Sequence, residues 1–379
     1  MRTLLVLFVA VMAATPASLA AQGSLGAQGF GYPTGQLGTG ALGSGGSTAE
    51  IDPASPINPA AMATARRFSV YMQFEPEFRR TSGNGTSDRS TTMRFPGFMG
   101  TGSIRRLTAG VSFSTLLDRT WSNTYSDSQV VGGETFPSSL RAASNGAISD
   151  ARFAAAYFVN SALQVGAGVH AISGENRLEF GRAFGDSSGL GSVGRTSLLN
   201  YSGRAVSVGV TSQPLPGLLL AASARLGGTL RAERDGTPIA SGEVPSRYGV
   251  GATWIGIPNT TLSARYDRTA WSDMRDMLGS GLDNTSTVFD ATEIGLGVEV
   301  AGPAVFGVPS IVRLGARDRT LPFGANGEQV AERAYSGGVG IPLARGRAHV
   351  DLTLQRALRN AAGVNERSWF VGVGLGIRP

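Results

Sequence analysis

From residue 66 to the C-terminus, short runs of alternating apolar and polar residues follow one another. Ala348, Val350, Leu352 and Leu354 alternate with Arg347, His349, Asp351, Thr353 and Gln355. Ile294, Leu296, Val298 and Val300 alternate with Gly295, Gly297 and Glu299, and Leu218, Leu220, Ala222, Ala224 and Leu226 with Leu219, Ala221, Ser223 and Arg225. Successive side chains of a strand point to opposite faces, so each run predicts a strand with one apolar face. Fourteen such strands are predicted, near 66–78, 91–100, 106–125, 147–159, 163–176, 197–211, 217–231, 245–256, 260–270, 288–300, 310–320, 328–341, 346–357 and 366–378.

The gaps between the runs have a rhythm of their own. After even-numbered strands they are short, as at 159–162, 213–216, 257–259 and 342–345. After odd-numbered strands they read as longer polar loops, as at 126–146, 177–196 and 271–287. No signature repeats every 40–50 residues, which argues against a propeller. A two-layer sandwich would not need the short-and-long alternation. The pattern predicts an all-β fold, a transmembrane antiparallel β-barrel of about fourteen strands. An even strand count puts both ends of the barrel on one side, expected to be periplasmic.

The first residues support export. Arg2 precedes an apolar stretch over 4–14, Thr15-Pro16 interrupts it, and Ser18-Leu19-Ala20 supplies small residues for cleavage. This predicts a signal peptide over 1–20. No other apolar run approaches the roughly 18 residues of a membrane helix. Residues 21–65 are rich in Gly, Ser, Ala and Pro, with prolines at 53, 56 and 59 that preclude a regular element there. One helical turn is expected after them, with Asn58 as N-cap and Pro59 at its first position. Ile51, Ile57 and Met62 are apolar anchors that a plain linker would not need. Residues 21–65 are therefore expected to form a plug, and 66–379 the barrel.

Composition narrows the chemistry. All 33 basic residues are Arg, spread along the chain, so no basic block marks a nucleic-acid partner. Such arginines suit pore walls and the phosphates of membrane lipid and lipopolysaccharide. With no Cys and only His170 and His349, neither a metal site nor a Ser-His hydrolase motif is apparent. No enzyme activity, metal or cofactor is expected. The segment Asp283-Asn284-Thr285-Ser286 reads as a solvated loop. Trp121, Trp254, Trp271 and Trp369 fall near predicted strand ends, where girdles of aromatic residues form at membrane interfaces.

Three segments resemble one family. They are Asn58-Pro59-Ala60 after a Gly-rich stretch; the unit from Val244-Pro245 through Trp254 to Trp271-Ser272; and Val312-Arg313-Leu314-Gly315 running to Pro322. Together they resemble the long-chain fatty acid transporter family of outer membrane proteins, the FadL-like barrels. The resemblance implies a 14-stranded barrel in the cell outer membrane with an N-terminal hatch in its lumen, and passive uptake of hydrophobic small molecules such as long-chain fatty acids or aromatic hydrocarbons. It implies Asn58, Pro59 and Ala60 as the hatch motif, and release through a gap in the wall. A related expectation is a protein-binding barrel of the secretion-shuttle type, and a third is a structural membrane protein. Outer membrane barrels commonly end on an aromatic residue that the barrel assembly machinery reads. This chain departs from that, ending Ile377-Arg378-Pro379.

Overall fold

The computed structural model describes residues 31–65, 68–83, 86–95, 97–185, 189–278, 288–305, 307–325 and 327–378. The expected signal peptide, residues 21–30 of the expected plug, and 283–286 lie outside the described residues.

Fourteen antiparallel strands close into one barrel. They are β1 (Ser69–Phe74 and Glu77–Gly83), β2 (Thr86–Thr92 and Gly97–Ile104), β3 (Leu107–Asp118 and Trp121–Val131), β4 (Glu134–Asn160), β5 (Leu163–Phe184), β6 (Val193–Leu215) and β7 (Leu218–Arg234). The ring continues with β8 (Thr237–Glu243 and Ser246–Ile257), β9 (Thr260–Ala270), β10 (Ala291–Val305), β11 (Val308–Ala325), β12 (Glu328–Leu343), β13 (Ala348–Ala361) and β14 (Val364–Ile377). β14 returns to β1, pairing Val373 with Phe74 and Trp369 with Phe78. Strands β1 and β8 each break at a proline (Pro76 and Pro245), which has no N–H for a ladder, and β2 is interrupted between Thr92 and Gly97.

The alternation read from the sequence sorts the two faces. Leu220, Leu226, Ile294, Leu296, Leu352 and Leu354 turn outward, 41–56 % exposed, while Arg225, Glu293, Asp351, Thr353 and Gln355 are buried inside. An apolar outer band over a polar interior is the arrangement that spans a bilayer.

The connections differ from expectation. The gaps 126–146 and 177–196 are mostly strand. β3 runs on to Val131 and turns at Gly132-Gly133 into β4, and only 185–192 separate β5 from β6. Tight turns also follow β7 and β13. A tilted strand needs about 9–11 residues to cross a membrane, so the 27-residue β4 and 22-residue β5 project well beyond it. Out there both faces are wet, so the apolar signal stops although the ladder continues. The asymmetry therefore lies in how far the hairpins project. The two rims are called here the near end, with Ser69 and Ile377, and the far end, where the long hairpins rise.

Residues 31–65 lie inside the ring. Pro59–Thr64 forms the expected turn, as a 3-10 helix whose N-cap Asn58 accepts the Ala60 N–H at 2.9 Å. The segment winds around the wall against inward-facing glycines. Thr39 meets Gly374 of β14, Ser44 meets Gly315 of β11, and Ser47 meets Gly297 of β10. Asn58 then meets Gly209 of β6, Ala60 meets Gly166 of β5, and Met62 meets Gly110 of β3. A Cβ at Gly166 would stand 2.6 Å from the Ala60 nitrogen, so any larger residue would lift the segment off the wall. Toward the far end an apolar cluster that includes Leu178, Leu230, Trp271, Met274, Leu321 and Val330 fills the lumen. At the near end a vestibule of ≈ 680 Å³ opens below residues 40–54, lined by apolar residues such as Ile51, Ile311 and Ile341 together with Arg313, His349 and Asp351.

Candidate functional site

Period-two charges build the interior. Glu77 and Arg79, Asp150 and Arg152, Arg265 and Asp267, and Arg317 and Arg319 each stand two apart on one strand, so both members face inward. Ladder register then brings neighbouring pairs into contact. Arg247 and Arg265 meet Asp267, Arg265 meets Glu293 at 2.6 Å, Arg319 meets Glu332 at 2.6 Å, and Arg359 meets Glu332 and Glu366. All are nearly free of solvent. Such a network is worth having only when nearly every member is paired, because an unpaired buried charge costs several kcal/mol.

The inner segment plugs into this belt at three places. Glu50 pairs with Arg247 and Arg265 and accepts the Ser223 hydroxyl at 2.7 Å. Burial alone would raise its carboxyl, but the guanidinium groups of Arg247 and Arg265 outweigh burial and hold it below the usual range. Gln36 donates to Ser114 Oγ at 2.7 Å and to Asp150 Oδ2 at 3.1 Å. Tyr32 lies between Arg79, Arg94, Arg319 and Arg359, stacked on Phe370. Burial raises its phenol above the ordinary value, against the pull of Arg319 and Arg359, so it stays protonated and donates to Glu332 Oε2 at 3.0 Å.

Tyr32 also stands at a seam in the wall. β2 pairs with β3 from Ile104↔Leu107 up to Gly97↔Ser114. Above that, Thr86–Thr92 pairs with β1 and Trp121–Val131 pairs with β4, and no ladder joins the two among the described residues. Where β2 departs, Tyr32 and Pro33 take its place, pairing with Asp118 and Leu117 of β3. Arg94, in the break of β2, reaches across to Asp118 at 2.8 Å. Phe95 and Met93 beside it face outward, more than half exposed, and Phe95 packs on Phe74 with ring centroids 4.8 Å apart.

The residues singled out from the sequence fall in different places. Asn58, Pro59 and Ala60 are brought together inside the barrel and are fully buried. The Asn58 amide also donates to the carbonyls of Glu50 and Val210. Trp254 and Trp369 face outward, 41 % and 42 % exposed, and Arg356 lies over the Trp369 ring at 5.2 Å. Trp271 does not face outward with them, being 4 % exposed. β9 ends at Ala270 and the chain turns inward as Trp271–Met274, with Ser272 N–H and Oγ–H both donating to Asp290 Oδ1, so the indole is buried in the lumenal cluster. Trp121 is buried too.

Two groups escaped the sequence reading. Tyr32, Arg94 and Asp118 belong to no motif; only the prolines at 76 and 96 in the sequence, which cannot donate to a ladder, mark irregularity near them. His170, which the sequence places in no motif, has Nδ1 2.8 Å from Asp150 Oδ1 and Nε2 2.9 Å from Ser207 Oγ. These are distances a hydrolytic triad would have. However, Ser207 is buried, 2 % exposed, so its hydroxyl has no face open to a substrate. Asp150 is further engaged by Gln36 and by Arg225 at 3.3 Å. The three residues act as a relay of hydrogen bonds fastening the inner segment to β4, β5 and β6.

No family model matches the chain, and no curated protein is significantly similar to it. Solved structures do match. A Pseudomonas aeruginosa FadL homologue superposes with a TM-score of 0.63 at 13% identity, over 92% of this chain and 99% of its own. The fold is that of a FadL-like barrel. The CymD monoaromatic hydrocarbon channel matches with a TM-score of 0.55 at 15% identity, over 90% and 97% of the two chains. The P. putida toluene transporter TodX matches with 0.55 at 14%, over 93% and 99%. The FadL-like architecture thus spans the present chain from inner segment to last strand.

Proposed function

We propose that the protein is a passive outer-membrane channel for hydrophobic small molecules, with residues 31–65 as its hatch and the seam between β2 and β3 as its exit. The seam carries this reading. A lumen closed below by a seated hatch offers an apolar solute no open route to the near end. A break in the wall lined outside by Met93 and Phe95 offers it one into the bilayer. Solute would enter at the far end past Trp271 and Met274, reach Tyr32, and leave sideways once Tyr32 and the Arg94–Asp118 pair release the seam. The names of the similar structures, a FadL homologue and monoaromatic hydrocarbon channels, point to long-chain fatty acids or small aromatics as cargo. The far end is then external, both termini are periplasmic, and no cofactor or energy source is needed. A secretion-shuttle role fits less well, because the space a protein partner would enter is filled by 31–65.

The outer face adds a lipid partner. Arg80 and Arg367 are exposed and directly opposed across β1 and β14, just beyond Phe78 and Trp369. Like charges so placed repel, and lipopolysaccharide phosphates at that height would relieve them. Trp369 there and Trp254 near the other rim fit an aromatic girdle.

Uptake of labelled toluene and oleate by cells with and without the gene tests the channel. Faster entry of either with the gene, and none of a polar sugar, is expected. Equal rates in both strains, or free passage of the sugar, would refute it.

A further inference from the structure

The surroundings of Tyr32 resemble a binding site more than a structural contact. Four guanidinium carbons ring it, at 4.4 Å (Arg359), 4.8 Å (Arg94), 5.1 Å (Arg319) and 5.9 Å (Arg79) from the ring centroid. Phe370 stacks alongside, with centroids 6.4 Å apart and planes at 22°. The phenol donates to Glu332 and accepts from Arg319. We propose that this arginine cage is a site for a hydroxylated aromatic ring, a phenol, and that Tyr32 is its resident occupant.

Charge selects the ligand class. The four arginines are interleaved with Glu77, Asp118, Glu332 and Glu366, each in ion-pair contact with at least one of them. The cage is thus electrically closed and does not call for a free carboxylate. What it offers is desolvated cations facing a π surface, and such cations attract the face of any aromatic ring. It also holds one acceptor, Glu332, and one donor, Arg319, aimed at a hydroxyl. A plain hydrocarbon ring would use the cations but strand that acceptor and donor, and sites built to bond a hydroxyl discriminate strongly against analogues lacking it. An aliphatic chain would use neither. Arg94 Nη2 and Arg359 Nη2 are buried without a hydrogen-bond partner, so the cage has donors that Tyr32 does not use.

The occupant is replaceable. Tyr32 and Pro33 are held to β3 by two ladder positions, whereas the hatch from residue 37 onward has its own seats on the wall. The cavity beside Pro33 and Arg319 is only ≈ 50 Å³, against about 150 Å³ for a site that takes benzene, so a second ring enters only if Tyr32 leaves. Tyr32 and Phe370 belong to the same apolar cluster as Trp271 and Met274, which gives a ring a continuous apolar approach.

The inference rests on the uptake reading for how a solute arrives, but its test does not. Binding of p-cresol and of toluene to the purified full chain in detergent is measured by calorimetry for wild type, Tyr32→Ala and Tyr32→Phe. Tyr32→Phe is close to isosteric and keeps the comparison open if the alanine variant folds poorly. Tyr32→Ala is expected to bind p-cresol at least ten-fold more tightly than wild type, and at least ten-fold more tightly than it binds toluene, with Tyr32→Phe between wild type and Tyr32→Ala. Unchanged p-cresol affinity in both variants, or equal affinity for the two rings, would overturn the proposal. Failure of the uptake reading shows instead as equal toluene entry in cells with and without the gene.

Discussion

Glu50 shows how one side chain can set the conditions under which the inner segment stays docked. It is buried, comes from the inner segment, and meets two arginines of the wall. Because its docked carboxyl titrates below the ordinary range, its stabilisation is complete above the free value of about 4.3 and is lost as pH falls through the lower docked value. The hatch should therefore stay seated at pH 5 and loosen only in stronger acid. Single-channel recordings in planar bilayers check this, with wild type silent from pH 7 to 5 and opening only in acid below the free glutamate value of about 4.3. Glu50→Gln leaves Arg247 and Arg265 short of a partner, a loss on the order of 3 kcal/mol for a buried pair. It should flicker open at every pH. A variant as quiet as wild type at pH 7 would show that Glu50 does not hold the hatch. Little of this was visible beforehand. Glu50 sits in a Gly- and Ser-rich stretch with no periodicity, and only ladder register tells which arginines it meets.

At the scale of elements, legibility followed the solvent. Where one face of a strand touches lipid and the other the lumen, as at 348–355, alternation is enforced and the strand can be read. In the far hairpins both faces are polar, so 126–146 looked like loop although the backbone is paired on both sides of the Gly132-Gly133 turn. The Asn58–Pro59 turn was readable because its cap chemistry is local. The Tyr32–Pro33 strand was not, because two residues carry no pattern and their partners lie about 85 positions away. That small strand makes a sharp prediction. Pro33 and Leu117 are ladder partners and the chain has no native cysteine, so a Pro33→Cys/Leu117→Cys pair can form a disulfide without competitors. Oxidation should abolish toluene uptake and dithiothreitol restore it. Undiminished uptake by the fully oxidised protein would mean that Tyr32–Pro33 does not have to leave the seam.

The whole molecule is a ring whose two surfaces use arginine in opposite ways. Inside, most arginines are matched by carboxylates; outside, Arg80 and Arg367 face each other without one between them. If outer-leaflet phosphates complete that pair, Arg80→Gln/Arg367→Gln should co-purify with at most about half the lipopolysaccharide phosphorus of wild type while keeping its fold, as read by phosphate assay and circular dichroism. Equal phosphorus would remove the lipid from the picture. The path of the inner segment has a different consequence, one for the order of events in time. Residue 39 rests on β14, the last strand made, and residue 62 rests on β3, among the first. The segment that is synthesised earliest therefore has no complete seat until the final strand has joined the first. Docking must be the last step of assembly, and every molecule passes through an interval as an open ring, with its belt of charges wetted, before it becomes a closed one.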